Sequence, residues 1–136
     1  MARFIKQWLP ALLMMGAIFY FSSIPSKEMP YFGSWDTLLK KSGHMLGYAM
    51  LGLSYLRGIN SFRWQSVLAA LVGVVLYAFS DEYHQSFVAG RTATFVDVGI
   101  DTIGGALGLA AVTLAPSLRK LIFQDWMGPG KHEEPK

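Results

Sequence analysis

Apolar positions along this chain fall in long blocks, with no stretch alternating at a period of two. Four blocks stand out. They are WLPALLMMGAIFYFSSI from Trp8 to Ile24, GHMLGYAMLGLSYL from Gly43 to Leu56, WQSVLAALVGVVLYAFS from Trp64 to Ser80, and FVDVGIDTIGGALGLAAVTLA from Phe95 to Ala115. A helix crosses hydrocarbon with about 20 apolar residues, or about 17 where interfacial side chains anchor it. The missing alternation argues against strands and a barrel. The pattern therefore predicts helices over about residues 8–24, 43–57, 64–87 and 95–115, the third running beyond Ser80 because its helical periodicity continues to Phe87. Pro10 is placed in a first turn, where a missing N–H costs little, and Pro116 closes the fourth helix. The expected fold is an all-α membrane protein, a four-transmembrane-helix bundle of up-down topology. It occupies residues 1–120 as one domain, and the polar, Gly- and Pro-containing tail over 121–136 is expected to be disordered.

Composition agrees. Only 15% of the residues are charged and 52% are apolar, against roughly 25% charged in an ordinary soluble domain. The missing charge is missing solvated surface, so the expected partner is a lipid bilayer. A net charge of +3 and a pI near 9.3 would suit nucleic acid. The twelve Lys and Arg are scattered singly or in pairs, however, without the basic stripe that phosphate tracking needs. No nucleic-acid partner is expected. The absence of cysteine excludes disulfides, thiolate catalysis and Cys-ligated zinc. The start MARFIKQW resembles a signal peptide, but SSIPSKEMP after the first block offers no A-x-A-like cleavage site.

Basic residues orient the bundle. With the N-terminus inside, the inner segments hold Arg3, Lys6, Arg57, Arg63, Arg119, Lys120, Lys131 and Lys136, and the outer ones Lys27, Lys40, Lys41 and Arg91. The connection between the second and third helices carries Arg57 and Arg63 and no acid. Positive charge collects on the cytoplasmic side, so both termini are expected there, in a multi-pass protein of the bacterial cytoplasmic membrane.

The polar residues then gather at the outer end. Asp97 and Asp101 are four apart and share a helix face, which continues through Gly104 and Gly105 to Gly108. Gly104 and Gly108 form a small-xxx-small pair that lets helices approach closely, and Gly-rich faces of this kind also offer a homodimer contact. His44 and Tyr48 share a face of the second helix. Asp81, His84 and Gln85 share one at the end of the third, with Tyr77 a turn below and Glu82 rotated by about 100°. Plainer readings exist for each: a capping role for Asp97 at the helix N-terminus, a histidine satisfied between helices, a solvated helix end for the third helix. The charge balance weighs against them. Asp81, Glu82, Asp97 and Asp101 carry four negative charges, and Arg91, Lys40 and Lys41 return three. Semi-buried groups cannot stay dry, ionised and unpaired, because each such charge costs several kcal/mol. They must bind a cation, hold protons, or open to water.

These residues resemble the VanZ-like family of small bacterial membrane proteins. The likeness runs from Trp8 through Gly108. It rests on F-x-x-S-S-x-P at Phe19 to Pro25, K-x-x-H-x-x-x-Y at Lys41, His44 and Tyr48, S-D-E-x-x-Q-x-F-x-x-G-R at Ser80 to Arg91, and D-x-x-x-[ND]-x-x-G at Asp97, Asp101 and Gly104. Two departures stand out: the family's D-K is Lys40-Lys41 here, and the second acidic position, often Asn in relatives, is Asp101. The resemblance implies a four-helix protein of the bacterial cytoplasmic membrane and, through the founding member, an association with glycopeptide (teicoplanin-type) antibiotic resistance. It implies no settled reaction.

Three functions compete. The first handles a polar head group at the outer leaflet, such as that of a lipid-linked cell-envelope precursor. There Asp81, Glu82, Asp97 and Asp101 offer oxygen ligands to a divalent cation such as Mg²⁺, and Arg91 forks onto a phosphate or carboxylate. His44, Glu82 and Asp81 are the acid–base candidates, with His44 and Glu82 as an alternative hydrolase pair. Lys41, Tyr48, His84, Gln85, Arg91, Asp97 and Asp101 are the binding candidates. The second is a non-catalytic accessory protein controlling access to precursor or glycopeptide, with the cluster as a structural latch in which Arg91 pairs with carboxylates. The third is a small ion- or proton-coupled transporter. No triad, H-E-x-x-H or phosphate-cradling Gly loop is present.

Overall fold

The structure, a computed structural model, describes residues 2–123. It is all-helical, with no strand among the described residues. Five helices follow in order: α1 Ala2–Ser22, α2 Asp36–Ile59, α3 Trp64–Gln85, α4 Phe95–Leu114 and α5 Pro116–Phe123. Between α1 and α2 the chain makes two short 3-10 turns, Ser26–Glu28 and Gly33–Trp35.

Side-chain register gives the topology. Ile18 packs near Gly47 and Trp8 near Gly58, so α2 descends as α1 rises. Tyr48 faces Tyr77 and Gly52 faces Val74, which makes α3 antiparallel to α2. Gly104 lies on Met45 and Gly108 on Ala49, so α4 runs parallel to α2. The order is up-down-up-down. At the α2–α3 corner Asn60 takes the left-handed conformation (φ 59°) and its N–H bonds back to Leu56 and Arg57. Asn tolerates that conformation better than most side chains, so α2 stops sharply and α3 starts at Trp64.

Among the described residues three helical stretches are long and apolar enough to cross a membrane: Phe4–Ser22, Trp64–Gln85 and Phe95–Leu114. Their outward faces carry exposed Leu12, Leu13, Leu68, Val72, Leu76, Ile103 and Leu107. Water-soluble monomers do not expose apolar surface on that scale; lipid tails fit it. On α3, exposed Trp64 and Tyr83 stand roughly 29 Å apart at 1.5 Å per residue, which matches the roughly 30 Å hydrocarbon layer whose edges Trp and Tyr favour.

α2 differs from the other long helices. It is 24 residues long, but it is not among the stretches apolar enough to span by composition. It begins at Asp36, seven residues before the block expected from Gly43, because the polar run Asp36–Ser42 is helical too. Asp36 sits in the first turn, where the helix dipole favours a negative charge, and Lys40 one turn later pairs with it at 2.7 Å. The Lys40 ammonium holds the Asp36 carboxyl below its ordinary range.

Two other expectations change. α1 starts at Ala2 rather than near Trp8, so Pro10 lies inside the helix and removes one ladder hydrogen bond there instead of occupying the first turn. The chain also resumes as a helix at Pro116. Phe123 is buried in a cluster with Leu56, Ala70, Leu109 and Val112, its ring edge-on to Phe62 at 5.1 Å. Residues 121–123, assigned to the tail by sequence, thus belong to α5, and the remainder of the expected tail, 124–136, lies outside the described residues.

The α4 glycines set the spacing of the core. A Cβ added at Gly108 would fall 2.7 Å from the Ala49 carbonyl oxygen, and one at Gly105 2.6 Å from Val74. The backbones of α2 and α4 are in contact. Gly104, Gly105 and Gly108 are covered by α2 and α3 of the same chain, so their close approach is used within the monomer.

Candidate functional site

At the end of the bundle opposite the α2–α3 corner, Ser22, Asp81, Glu82, Gln85 and Asp101 are all buried. α3 supplies the centre. Asp81 and Gln85 are one turn apart, and Gln85 Nε2 donates to Asp81 Oδ2 at 2.9 Å. The Ser22 hydroxyl, from the last turn of α1, donates to the same oxygen at 2.9 Å. Asp81 Oδ1 has no hydrogen-bond partner. Across from it Asp101 projects from α4 with its side chain 1% exposed, and His44 Nδ1 of α2 lies 3.4 Å from Asp101 Oδ1. Asp101 Oδ2 and the Tyr48 hydroxyl are likewise buried without partners. His44, Asp81 and Asp101 each offer a ligand atom, all within 4.8 Å of one another.

The other acidic residues do different work. Thr94 is the N-cap of α4, its side chain accepting from the Asp97 N–H. Asp97 in turn accepts from the Thr94 hydroxyl at 2.7 Å and from Lys41 Nζ at 2.8 Å. That is the capping arrangement weighed for Asp97 from sequence, with Lys41 tying α2 to it. Glu82 Oε2 accepts the Thr94 N–H at 2.9 Å, fixing the entry to α4. Glu82 and Asp97 therefore stand outside the His44–Asp81–Asp101 group. Of the four carboxylates expected from sequence to share a cation, Asp81 and Asp101 come together with His44, and Glu82 and Asp97 do not join them.

Arg91 differs from the latch expectation, since among the described residues it pairs with no carboxylate. Its Nε donates to the Ile24 carbonyl at 3.2 Å and its Nη2 to the Phe21 carbonyl at 2.8 Å, with Met29 Sδ 3.0 Å from Nη2. A guanidinium there meets the unsatisfied carbonyls of the α1 C-terminus and its partial negative charge. Gly90, at φ 76°, makes the turn that aims it, and the Ser26 hydroxyl donates to the Gly90 carbonyl. His84 also belongs to this seam and not to the acidic group. Its ring stacks on Phe19 at 4.3 Å, and its Nε2 lies 3.0 Å from the Ser23 hydroxyl.

Ser22 and Ser23, which meet Asp81 and His84, were not among the candidate site residues read from sequence. The visible signal was two consecutive hydroxyls closing an apolar helix. Which neighbour they met could not be read from periodicity.

Above the cluster lies a cavity of about 780 Å³ between α1, α2 and the start of α4. Lys40, Lys41, His44 and Arg91 line its polar part together with Asp36, Glu82, Asp97 and Asp101, and Met14, Ile18, Leu46 and Met50 its apolar part. The arrangement has one greasy wall and one polar end, where Lys40 and Lys41 are paired with Asp36 and Asp97 and Asp101 lies buried.

An all-helical, membrane-type fold with a buried Asp–Asp–His group beneath an amphipathic cavity defines the class: a small integral membrane protein with a polar site at one end. The chain belongs to the VanZ/LLP1 family, whose model matches residues 7–116. No curated protein and no solved structure matches it.

Proposed function

We propose that this protein crosses the bacterial cytoplasmic membrane four times, with both termini inside, and binds the anionic head group of an amphiphile at the outer leaflet. The amphiphile is of the type of a lipid-linked cell-envelope precursor, and a contribution to glycopeptide (teicoplanin-type) resistance follows from withholding or altering such a ligand. The observation that carries the reading is the cavity, apolar along α1 and α2 and polar at one end, where Lys40, Lys41 and Arg91 offer donors beside the carboxylates they partly neutralise. A head group with phosphate or carboxylate fits the polar end and an acyl or prenyl chain the apolar part. The fourth span rests on α2: its 24 residues reach about 36 Å, and it lies between α1, α3 and α4, which cover much of its polar face.

The chain's lack of cysteine makes the topology test clean. Ser34→Cys should react with a membrane-impermeant maleimide on intact spheroplasts, and Ser61→Cys only after lysis. For the ligand, polyprenyl diphosphate titrated into the protein in nanodiscs should bind saturably, and Lys41→Met should weaken it about tenfold, the equivalent of one charged contact. Equal binding by Lys41→Met and wild type would remove the cavity reading.

A second reading has support from Arg91, whose bonds go to α1 carbonyls. In it the protein is a non-catalytic accessory factor and this end of the bundle is a latch holding α1 in place. Arg91→Gln would then release α1 without changing the ligand preference of the remaining bundle.

A further inference from the structure

We infer that His44, Asp81 and Asp101 form a site for a divalent transition metal, Zn²⁺ or Mn²⁺, held between α2, α3 and α4. Three observations converge. The candidate ligand atoms are mutually close. The His44 Nδ1 to Asp101 Oδ1 separation of 3.4 Å is long for a hydrogen bond, whereas two ligands about 2.1 Å from one tetrahedral ion stand roughly 3.4 Å apart. Finally, Asp81 Oδ1, Asp101 Oδ2 and the Tyr48 hydroxyl are buried with no partner, in residues that are 2%, 1% and 0% exposed. Orphaned polar atoms are rare in folded proteins, and a cation held by His44 Nδ1 and Asp101 Oδ1 would take Asp81 Oδ1 as its third ligand.

The donor set selects the metal. Mg²⁺ and Ca²⁺ prefer all-oxygen sites, while an imidazole with two carboxylates suits Zn²⁺ or Mn²⁺. The surroundings are those of a supported site. Ser22 and Gln85 hold the other oxygen of Asp81, as outer partners orient metal-binding carboxylates elsewhere. His44 and Asp101 also line the cavity, so the open side of the ion faces the space where a ligand would enter. The site does not depend on the head-group reading.

The test uses the full chain in detergent or nanodiscs, stripped by a chelator and titrated with Zn²⁺, Mn²⁺, Mg²⁺ or Co²⁺ alone. Wild type, His84→Ala and His132→Ala should each take up about one Zn²⁺, and Asp81→Asn and Asp101→Asn should bind at least tenfold more weakly while remaining helical and monodisperse. Should those variants fail to fold, wild-type Co²⁺ loading decides: visible absorption with mixed nitrogen and oxygen coordination, abolished by competing Zn²⁺, supports the site. Uptake far below one equivalent, the absence of that absorption, or unchanged binding in Asp101→Asn would overturn it. A preference for Mg²⁺ over Zn²⁺ would overturn the choice of metal.

Discussion

Gly104→Ala is the sharpest test of how α2 and α4 are joined. The added Cβ would point into the Met45 backbone, closer than real Cβ atoms come, with the Met45 Cα at 2.8 Å and its carbonyl carbon at 2.9 Å. Nothing there is a flexible side-chain end that can swing away, so the two helices must separate. Overpacking of this kind costs about 1–3 kcal/mol, partly offset by the gain of up to about 1 kcal/mol that Ala brings to a helix interior over Gly. With the full offset the net expectation is a loss of about 0–2 kcal/mol. Gly99→Ala, on the same helix with nothing within 4 Å, isolates the propensity gain and should be neutral or slightly stabilising. Both can be measured by reversible unfolding in mixed micelles. The separation would also move His44 from Asp101 and Lys41 from Asp97, so Gly104→Ala should weaken metal uptake as well. Equal stability of Gly104→Ala and Gly99→Ala would refute the contact.

Arg91→Lys keeps the charge but loses the fork onto Phe21 and Ile24; a loss of about 1.5–3 kcal/mol is expected for the charged bonds, read as a lowered melting temperature. Phe123→Ala empties a buried site against Phe62 and should cost about 3–5 kcal/mol, which chemical denaturation would register. Asp36, held below its ordinary carboxylate range by Lys40, contributes fully above that range and loses its contribution as pH falls through the lowered value. The stability gap between wild type and Asp36→Asn should therefore close in acid, below about pH 4, and a gap that widens there would contradict the pairing.

Much of the fold was legible because hydrocarbon imposes a length on apolar runs. α1, α3 and α4 announce themselves on that ground alone. α2 is less visible: its polar first turns are helical because Asp36 and Lys40 support them, which hydropathy cannot register. α5 was missed because Pro116 reads as a terminator, though Pro is equally at home in a first helical turn. At the site, periodicity correctly grouped Asp81 with Gln85 and His44 with Tyr48. It failed where partners are main-chain atoms. Arg91 finds carbonyls and Glu82 an amide, and side-chain spacing carries no trace of either. Asp97 and Asp101 share a face yet differ in role, because Thr94 and Lys41 engage the first while the second lies deeper, against His44.

The pairing of α2 with α4 constrains how the protein is made. In the four-span arrangement, Lys41 and His44 face partners on α4, and Lys41 meets Asp97 56 residues later in the chain. At synthesis rates of about 5–20 residues per second, those partners emerge roughly 3–11 s after α2 has left the ribosome. Through that interval Lys41 and His44 lack their α4 partners Asp97 and Asp101. In that arrangement α2 would wait at the insertion machinery or at the bilayer surface until α3 and α4 arrive, so membrane integration of this helix would be a late, cooperative event that slow codons or a truncation before Phe95 would disrupt.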